Sequence, residues 1–241
     1  VSQGIVALAV LGRLSATSVM SLSPRWAEDV VALRDVRERL DVGVHLDWTS
    51  GFALNAGYGR SGLEVRWRSA LHIYKQKSIE IQIERQLDAF EDQWQAAPDH
   101  IDSHQHVHQL AVFRDALINV LMRRYGANAH RPWLRVLGVT PLEKLAHRCA
   151  WPTVGPVFGT YGFNASMDDY ARHMQGWLAS APTGKTALIM CNPAVSAQAD
   201  DPLGNTRKRE FAYLAGHDFV QHLVDASVRV VRGSGKPMLP V

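Results

Sequence analysis

Short β-rich runs and amphipathic stretches alternate along most of the 241 residues, and that alternation limits the fold more than any other feature. Residues 1–11 carry an apolar stripe at helical spacing, closed by Gly12, and residues 16–22 form a β-rich run bounded by Pro24. A helical stretch at 26–33, continuing towards 40, leads into a second strand at 42–48. Further helices are expected at 78–94, 113–125, 142–148, 168–179, 207–214 and 218–225. Further strands are expected around Ile101 and at 132–137, 186–191 and 228–231. The uninterrupted apolar run 186–191 suits a strand buried on both faces. Strands and helices taken in turn argue for parallel βα units, closed or nearly closed as a barrel. The length fits one α/β domain covering 1–241, without internal repeat or boundary.

Several strands end in polar residues, and in βα barrels chemistry gathers at the C-terminal strand ends. His45, the stretch from Asp99 to His108 and Asn192 all fall at such ends. If the stretch is extended, Asp102, His104, His106 and His108 share one face. A carboxylate and three imidazoles together suit a divalent metal such as zinc. His45 and His104 are the first choice of ligands. Asp102 is placed to orient His104 or to hold a metal-bound water, and Asp47 either acts likewise or lies at the surface. Residues 52–62 turn to Gly, Asn, Tyr and Ser without period, as in a long loop covering a site.

Other classes are excluded by what is missing. Net charge is +3, and the sole basic cluster, Arg207-Lys208-Arg209, is too short to argue for nucleic acid. Cys149 and Cys191 form no CxxC motif, and Cys191 reads as a buried thiol. No stretch is long and apolar enough to span a bilayer. The first eleven residues lack a charged leader, so a cytoplasmic enzyme is the expectation. GxSxG and HExxH are absent, and so is GxGxxG. Gly184-Lys185-Thr186 has a phosphate-loop ending but lacks the preceding Gly and opens a strand, which argues against nucleotide hydrolysis.

Four blocks of the chain resemble the YdjC-like carbohydrate deacetylase family, which includes the chitooligosaccharide deacetylases. They are residues 12–20, the run Val42-Gly43-Val44-His45-Leu46, the stretch from Pro98 to His108, and Met190-Cys191-Asn192-Pro193-Ala194 followed by 207–214. The Asp102-Ser103-His104-Gln105-His106-Val107-His108 block is the specific one. The resemblance implies a distorted TIM-like (β/α) barrel related to the polysaccharide deacetylases, assembled as a homodimer. It implies metal-dependent removal of acetyl from an N-acetylated mono- or oligosaccharide. The family's metal histidines fall on His45 and His104, which would hold one divalent ion, magnesium or zinc. That ion would bind the amide carbonyl and a water, a carboxylate would take the water's proton, and an acid would protonate the leaving amine. Trp48 and Phe52, with Tyr58 and Trp67, are candidates for stacking on sugar faces. Arg131 and Arg135 either contact substrate or pair with a carboxylate. Neither a nucleic-acid nor a membrane partner is expected.

Two departures from the family pattern matter. Its Asp-Asp pair follows a first strand that would lie upstream of Val1, so residues are expected to be missing there and the intact polypeptide to exceed 26.8 kDa. Its Cys-His-Pro histidine is Asn192 here, and an amide has no useful pKa for proton transfer. The acid role would pass to His106 or His108, or the chain would be a catalytically impaired carbohydrate-binding homologue. A metal hydrolase of another amide or of a phosphate ester is a third reading; the sparse basic residues near the His block make phosphate less attractive.

Overall fold

The computed structural model describes residues 1–163, 166–196 and 201–239. The chain runs α1 (Ser2–Val10), β1 (Ala16–Val19), α2 (Trp26–Arg34) and β2 (Asp41–Leu46). Then come α3 (Gly51–Asn55), α4 (Gly62–Ala70), α5 (Gln76–Trp94) and β3 (His100–Ser103). A 3-10 segment, His104–Gln109, leads to α6 (Ala111–Tyr125), β4 (Trp133–Arg135) and α7 (Pro141–Arg148). The remainder is β5 (Thr153–Val154), β6 (Val157–Phe158), α8 (Met167–Ala179), β7 (Leu188–Ile189), α9 (Gly204–Ala215) and α10 (His217–Asp225). Two compact units result, each gathered from separated segments. One holds residues 18–30 and 42–153; the other holds 1–17, 31–41 and 154–241.

The first unit is organised by the sheet, whose strand order is β1-β2-β3-β4-β5. β2 pairs with β3 and β3 with β4, both parallel, as the alternation of strands and helices demands. Val42, Val44, Leu46 and Ile101 on one face are fully buried, and His100 and Asp102 on the other are 3% and 5% exposed, so the sheet is covered on both faces at β3. Asp99 sets the register at the start of β3: its Oδ2 accepts the Val42 N–H at 2.9 Å and its carbonyl accepts the Trp133 N–H at 3.0 Å. Gly43 lets β2 lie against His100, whose ring stacks on Trp133 at 4.3 Å; a Cβ at 43 would overlap the His100 carbonyl and ring.

α5 packs its Ile79, Ile83, Leu87, Phe90 and Trp94 face inward, the helical spacing seen in the sequence. Trp26 stacks on Phe90 at 5.5 Å and donates its indole N–H to the Ala89 carbonyl. α6 is fastened alongside by Arg124, whose guanidinium reaches Glu84, Asp88 and Glu91. Gln86 is a polar residue on the buried face. Its Oε1 accepts the Asp47 N–H at 2.7 Å and its Nε2 donates to the Asp47 carbonyl, so the helix holds the end of β2 in place.

The second unit closes around Leu8, Tyr170, Met174, Leu178, Tyr213, Leu214 and Phe219. β6 and β7 form a parallel pair within it. Asp41 receives the guanidinium of Arg232 at 2.9 Å and the hydroxyl of Ser234 at 2.6 Å, both at the far end of the chain.

Some expectations are corrected. The strand at 186–191 reduces to Leu188–Ile189, half-buried, because its partner β6 offers only two residues. Residues 228–231 form no strand; Val228 and Val230 instead pack against the second core. Among the described residues the strands group as five and two. The loop expected at 52–62 contains most of α3 and leads into α4, nucleated by Ser50 and Ser61, whose hydroxyls accept the Ala53 and Glu64 N–H groups. Positions 197–200 of the expected polar loop after Ala194 lie outside the described residues. No helix among the described residues is long and apolar enough to cross a membrane.

The close approach at Gly43 has a measurable consequence. Gly43→Ala is expected to destabilise by about 1–3 kcal/mol, the usual cost of overpacking a core. Thermal unfolding should then fall by roughly 2–12 °C for a chain of this size. An unchanged midpoint would show that β2 and β3 can separate at no cost.

Candidate functional site

The parallel register places His45 opposite Asp102 and Leu46 opposite Ser103. Residues opposite one another project to the same side of a sheet, so an imidazole and a carboxylate meet at the C-terminal end of two neighbouring strands. Nδ1 of His45 donates to Oδ1 of Asp102 at 2.7 Å, with the Ser18 hydroxyl 3.3 Å from the same nitrogen. The other carboxylate oxygen of Asp102 takes the guanidinium of Arg135, from β4, at 2.7 Å. One residue from each of three adjacent strands thus forms a chain from imidazole to carboxylate to guanidinium. Asp102 and Arg135 are each 5% exposed. Burial pushes the Asp102 carboxyl up, but Arg135 and then His45 overcome it and hold the group well below the usual carboxylate range. An ionised Asp102 fixes the proton of His45 on Nδ1 and leaves Nε2 as a lone pair.

His104 follows the last residue of β3. Its Nδ1 lies 2.8 Å from the Thr49 hydroxyl and 3.8 Å from Oδ1 of Asp47. Burial, reinforced by His45, lowers its basicity against the opposing pull of Asp47, so the ring is neutral. Asp47 itself is committed to the turn after β2, accepting the Thr49 and Ser50 N–H groups and the Ser50 hydroxyl. The His45 and His104 ring centres are 6.0 Å apart at 67°.

Beyond His104 the expected alternation of faces fails. Gln105 and His106 both adopt the left-handed conformation, at φ 51° and 59°, and turn the chain out of the strand. His106 and His108 consequently leave the face that carries Asp102. Nδ1 of half-buried His106 lies 3.3 Å from Nη2 of Arg135, and burial followed by Arg135 drops its pKa to about 4. His108 is fully buried. Its Nδ1 lies 2.6 Å from the Ser103 hydroxyl, which also accepts the His108 N–H, and its Nε2 lies 2.9 Å from the Arg135 carbonyl. Burial first and Arg135 second lower its pKa to about 3.

The remaining candidates are placed as follows. Trp48 is 3% exposed, edge-on to Phe113 at 4.9 Å with its indole N–H on Gln82, and offers no open face to a sugar. Phe52 is half-buried in α3. Arg131 donates to the Gly126 carbonyl at 2.7 Å and lies over the Trp151 ring. Asn192 belongs to the other unit, where its N–H donates to Glu210 and half-buried Cys191 has its thiol pushed up to about 12 by burial. Arg135 proves to be the clamp on Asp102, the carboxylate-pairing alternative. Thr49, Ser18 and Ser103 were not singled out from sequence; the polar Asp47-x-Thr49-Ser50 turn was the available signal for the first.

The donor set suits a divalent ion in part. Nδ1 of His45 is held by Asp102, which frees Nε2 for an ion, the usual arrangement of metal-bound imidazoles. Nε2 of His104 is free in the same way when the Thr49 hydroxyl accepts from Nδ1. Two imidazoles on one tetrahedral zinc ion, with a bond of about 2.1 Å to each nitrogen, have ring centres roughly 5.3 Å apart; the 6.0 Å observed is somewhat wider, so the rings would have to draw together to share an ion. No group of three or more His, Cys, Asp or Glu able to hold an ion occurs among the described residues. Asp102 and Asp47 have their oxygens engaged elsewhere, so water or substrate would complete the shell.

Comparison with known proteins gives a family and a fold. The profile described as YdjC-like protein matches residues 1–225. A crystal structure from Enterococcus faecalis V583, of a protein with a proposed role in cellobiose-phosphate cleavage, superposes with a TM-score of 0.74 at 19% identity. The match covers 96% of this chain and 91% of that one. No curated protein matches.

The environment of His108 sets a pH dependence. Its folded pKa of about 3 lies below the ordinary 6.5, so the unfolded chain takes up the proton first. Its contribution to stability is complete above pH 6.5 and is lost progressively as pH falls towards 3. Urea midpoints should decline through that interval, and less steeply in His108→Asn. An equal slope in both proteins would remove His108 from the account.

Proposed function

The chain belongs to the YdjC-like protein family, and from that premise we propose that it is a carbohydrate-processing hydrolase that removes acetyl from an N-acetylated mono- or oligosaccharide with one divalent ion. The observation that supports this reading is the pair His45 and His104, with Nδ1 of the first 2.7 Å from Asp102, Nδ1 of the second 2.8 Å from the Thr49 hydroxyl, and ring centres 6.0 Å apart. These two residues would hold the ion, magnesium or zinc. When bound, it would polarise the amide carbonyl and make water nucleophilic near neutral pH.

The chain's own residues divide the remaining work. Asp102, fixed by Arg135, keeps the His45 proton on Nδ1 and the ring in one orientation. Its depressed pKa and doubly engaged oxygens suit this positioning better than proton abstraction. Thr49, with its hydroxyl 2.8 Å from Nδ1, holds the His104 ring in one orientation. His106, with Nδ1 facing the Arg135 guanidinium, carries its proton on Nε2 and is placed to donate a hydrogen bond to a substrate oxygen. At a pKa of about 4 it is neutral and a weak base. His108, closed off on both nitrogens, supports Ser103 and the β4 carbonyl rather than touching substrate.

A second reading has one observation in its favour. Asn192 supplies an amide where the resembling family has an imidazole, as expected of a carbohydrate-binding homologue that has lost turnover.

Acetate release from N-acetylglucosamine and its oligomers, with and without chelator, tests the first reading. Release should require added ion, vanish in His45→Ala and His104→Ala, and fall roughly 10- to 100-fold in Asp102→Asn through weakened metal affinity. Saccharide binding with no product in any metal, unrescued by Asn192→His, would decide for the second.

A further inference from the structure

α4 is built the wrong way round for a helix on a globular surface. Its inward face carries Val65 and Ser69, both 1% exposed. Residues spaced by four recur on one side of a helix. Leu63, Trp67 and Leu71 do so here on the opposite side, at 78%, 44% and 67% exposure. An isolated exposed leucine is unremarkable, but three large apolar residues in line, pointing away from the protein, are not. Ile73, two residues beyond Leu71, is exposed as well.

The flanks identify the partner. Arg66 borders the stripe on one side and Arg68 on the other, with the Arg68 guanidinium 5.2 Å from the Trp67 ring centre. Across residues 60–77 the chain carries Arg60, Arg66, Arg68, Lys75 and Lys77 against the carboxylate of Glu64. Glu64 pairs with Arg60 and Arg68, while Lys77 reaches Glu80 and Arg66 donates to the Gln105 carbonyl, so the stretch keeps an excess of positive charge. A twofold contact between two copies of α4 would set these cations against their own images. A partner that is apolar within and anionic at its surface satisfies both features at once, and a bilayer of acidic lipids is such a partner. Trp67 suits the headgroup level, and long Arg and Lys side chains can follow the stripe inward while keeping their charges among the headgroups.

We propose that the outward face of α4 is a peripheral docking surface for anionic membrane lipid, with Leu63, Trp67 and Leu71 entering the interface and the flanking arginines meeting the headgroups. The expectation of no membrane partner rested on the lack of a spanning stretch, which a surface-lying helix does not need. The proposal is independent of the reaction assigned to the histidines.

Flotation of the full chain with vesicles tests it. The protein should float with phosphatidylcholine–phosphatidylglycerol vesicles and not with phosphatidylcholine alone, and added salt should weaken the association. Leu63→Ser combined with Leu71→Ser should reduce partitioning on the order of tenfold or more, with an unchanged unfolding midpoint because both side chains are exposed. A blue shift of tryptophan emission on adding the anionic vesicles should be lost in Trp67→Phe. Failure to float with the anionic vesicles, flotation unaffected by the double substitution, or a concentration-dependent dimer abolished by it would each overturn the proposal.

Discussion

The buried line from His45 through Asp102 to Arg135 is the interaction on which the rest of the site depends. It exists because three strands run parallel in a register that aligns one residue from each. A carboxylate inside a protein is costly unless its charge is matched, and here one oxygen faces a guanidinium and the other an imidazole. The arrangement settles two questions together: the sheet keeps its register, and the imidazole keeps one tautomer. Arg135 extends the network by donating to the Ser103 carbonyl at 2.8 Å and approaching His106, so the end of β3 is tied to β4 just before the chain leaves the strand.

Much of this was legible in the sequence, and the reasons are particular. The apolar run around Val42 and Val44 and the α5 face of Ile79, Ile83, Leu87 and Phe90 carry periods that burial enforces. Parallel pairing follows from their alternation with helices. What pattern reasoning missed were features shorter than a period. α3 is a five-residue helix whose main signal is the Ser50 cap, and β5 and β6 are two-residue ladders that exist only because a neighbour happens to lie alongside.

The histidine stretch was legible in composition and misread in geometry. An alternating face was expected at 102, 104, 106 and 108, but alternation holds only while the backbone is extended. The bond that the His108 N–H donates to the Ser103 hydroxyl oxygen closes a tight loop, and loop closure overrides the two-residue period. Gln86 was invisible for a related reason. A polar residue on a buried helix face looks like an exception until the Asp47 peptide that it satisfies is known.

Gln105 and His106 stand in the left-handed region without being glycine, each at a cost of about 1–3 kcal/mol. The same few residues therefore answer to two masters. Their side chains are constrained by chemistry, and their backbones must tolerate a turn from which β-branched residues are largely barred. A segment written under both demands has few acceptable spellings, and it can drift little even where the helices around it are free to change.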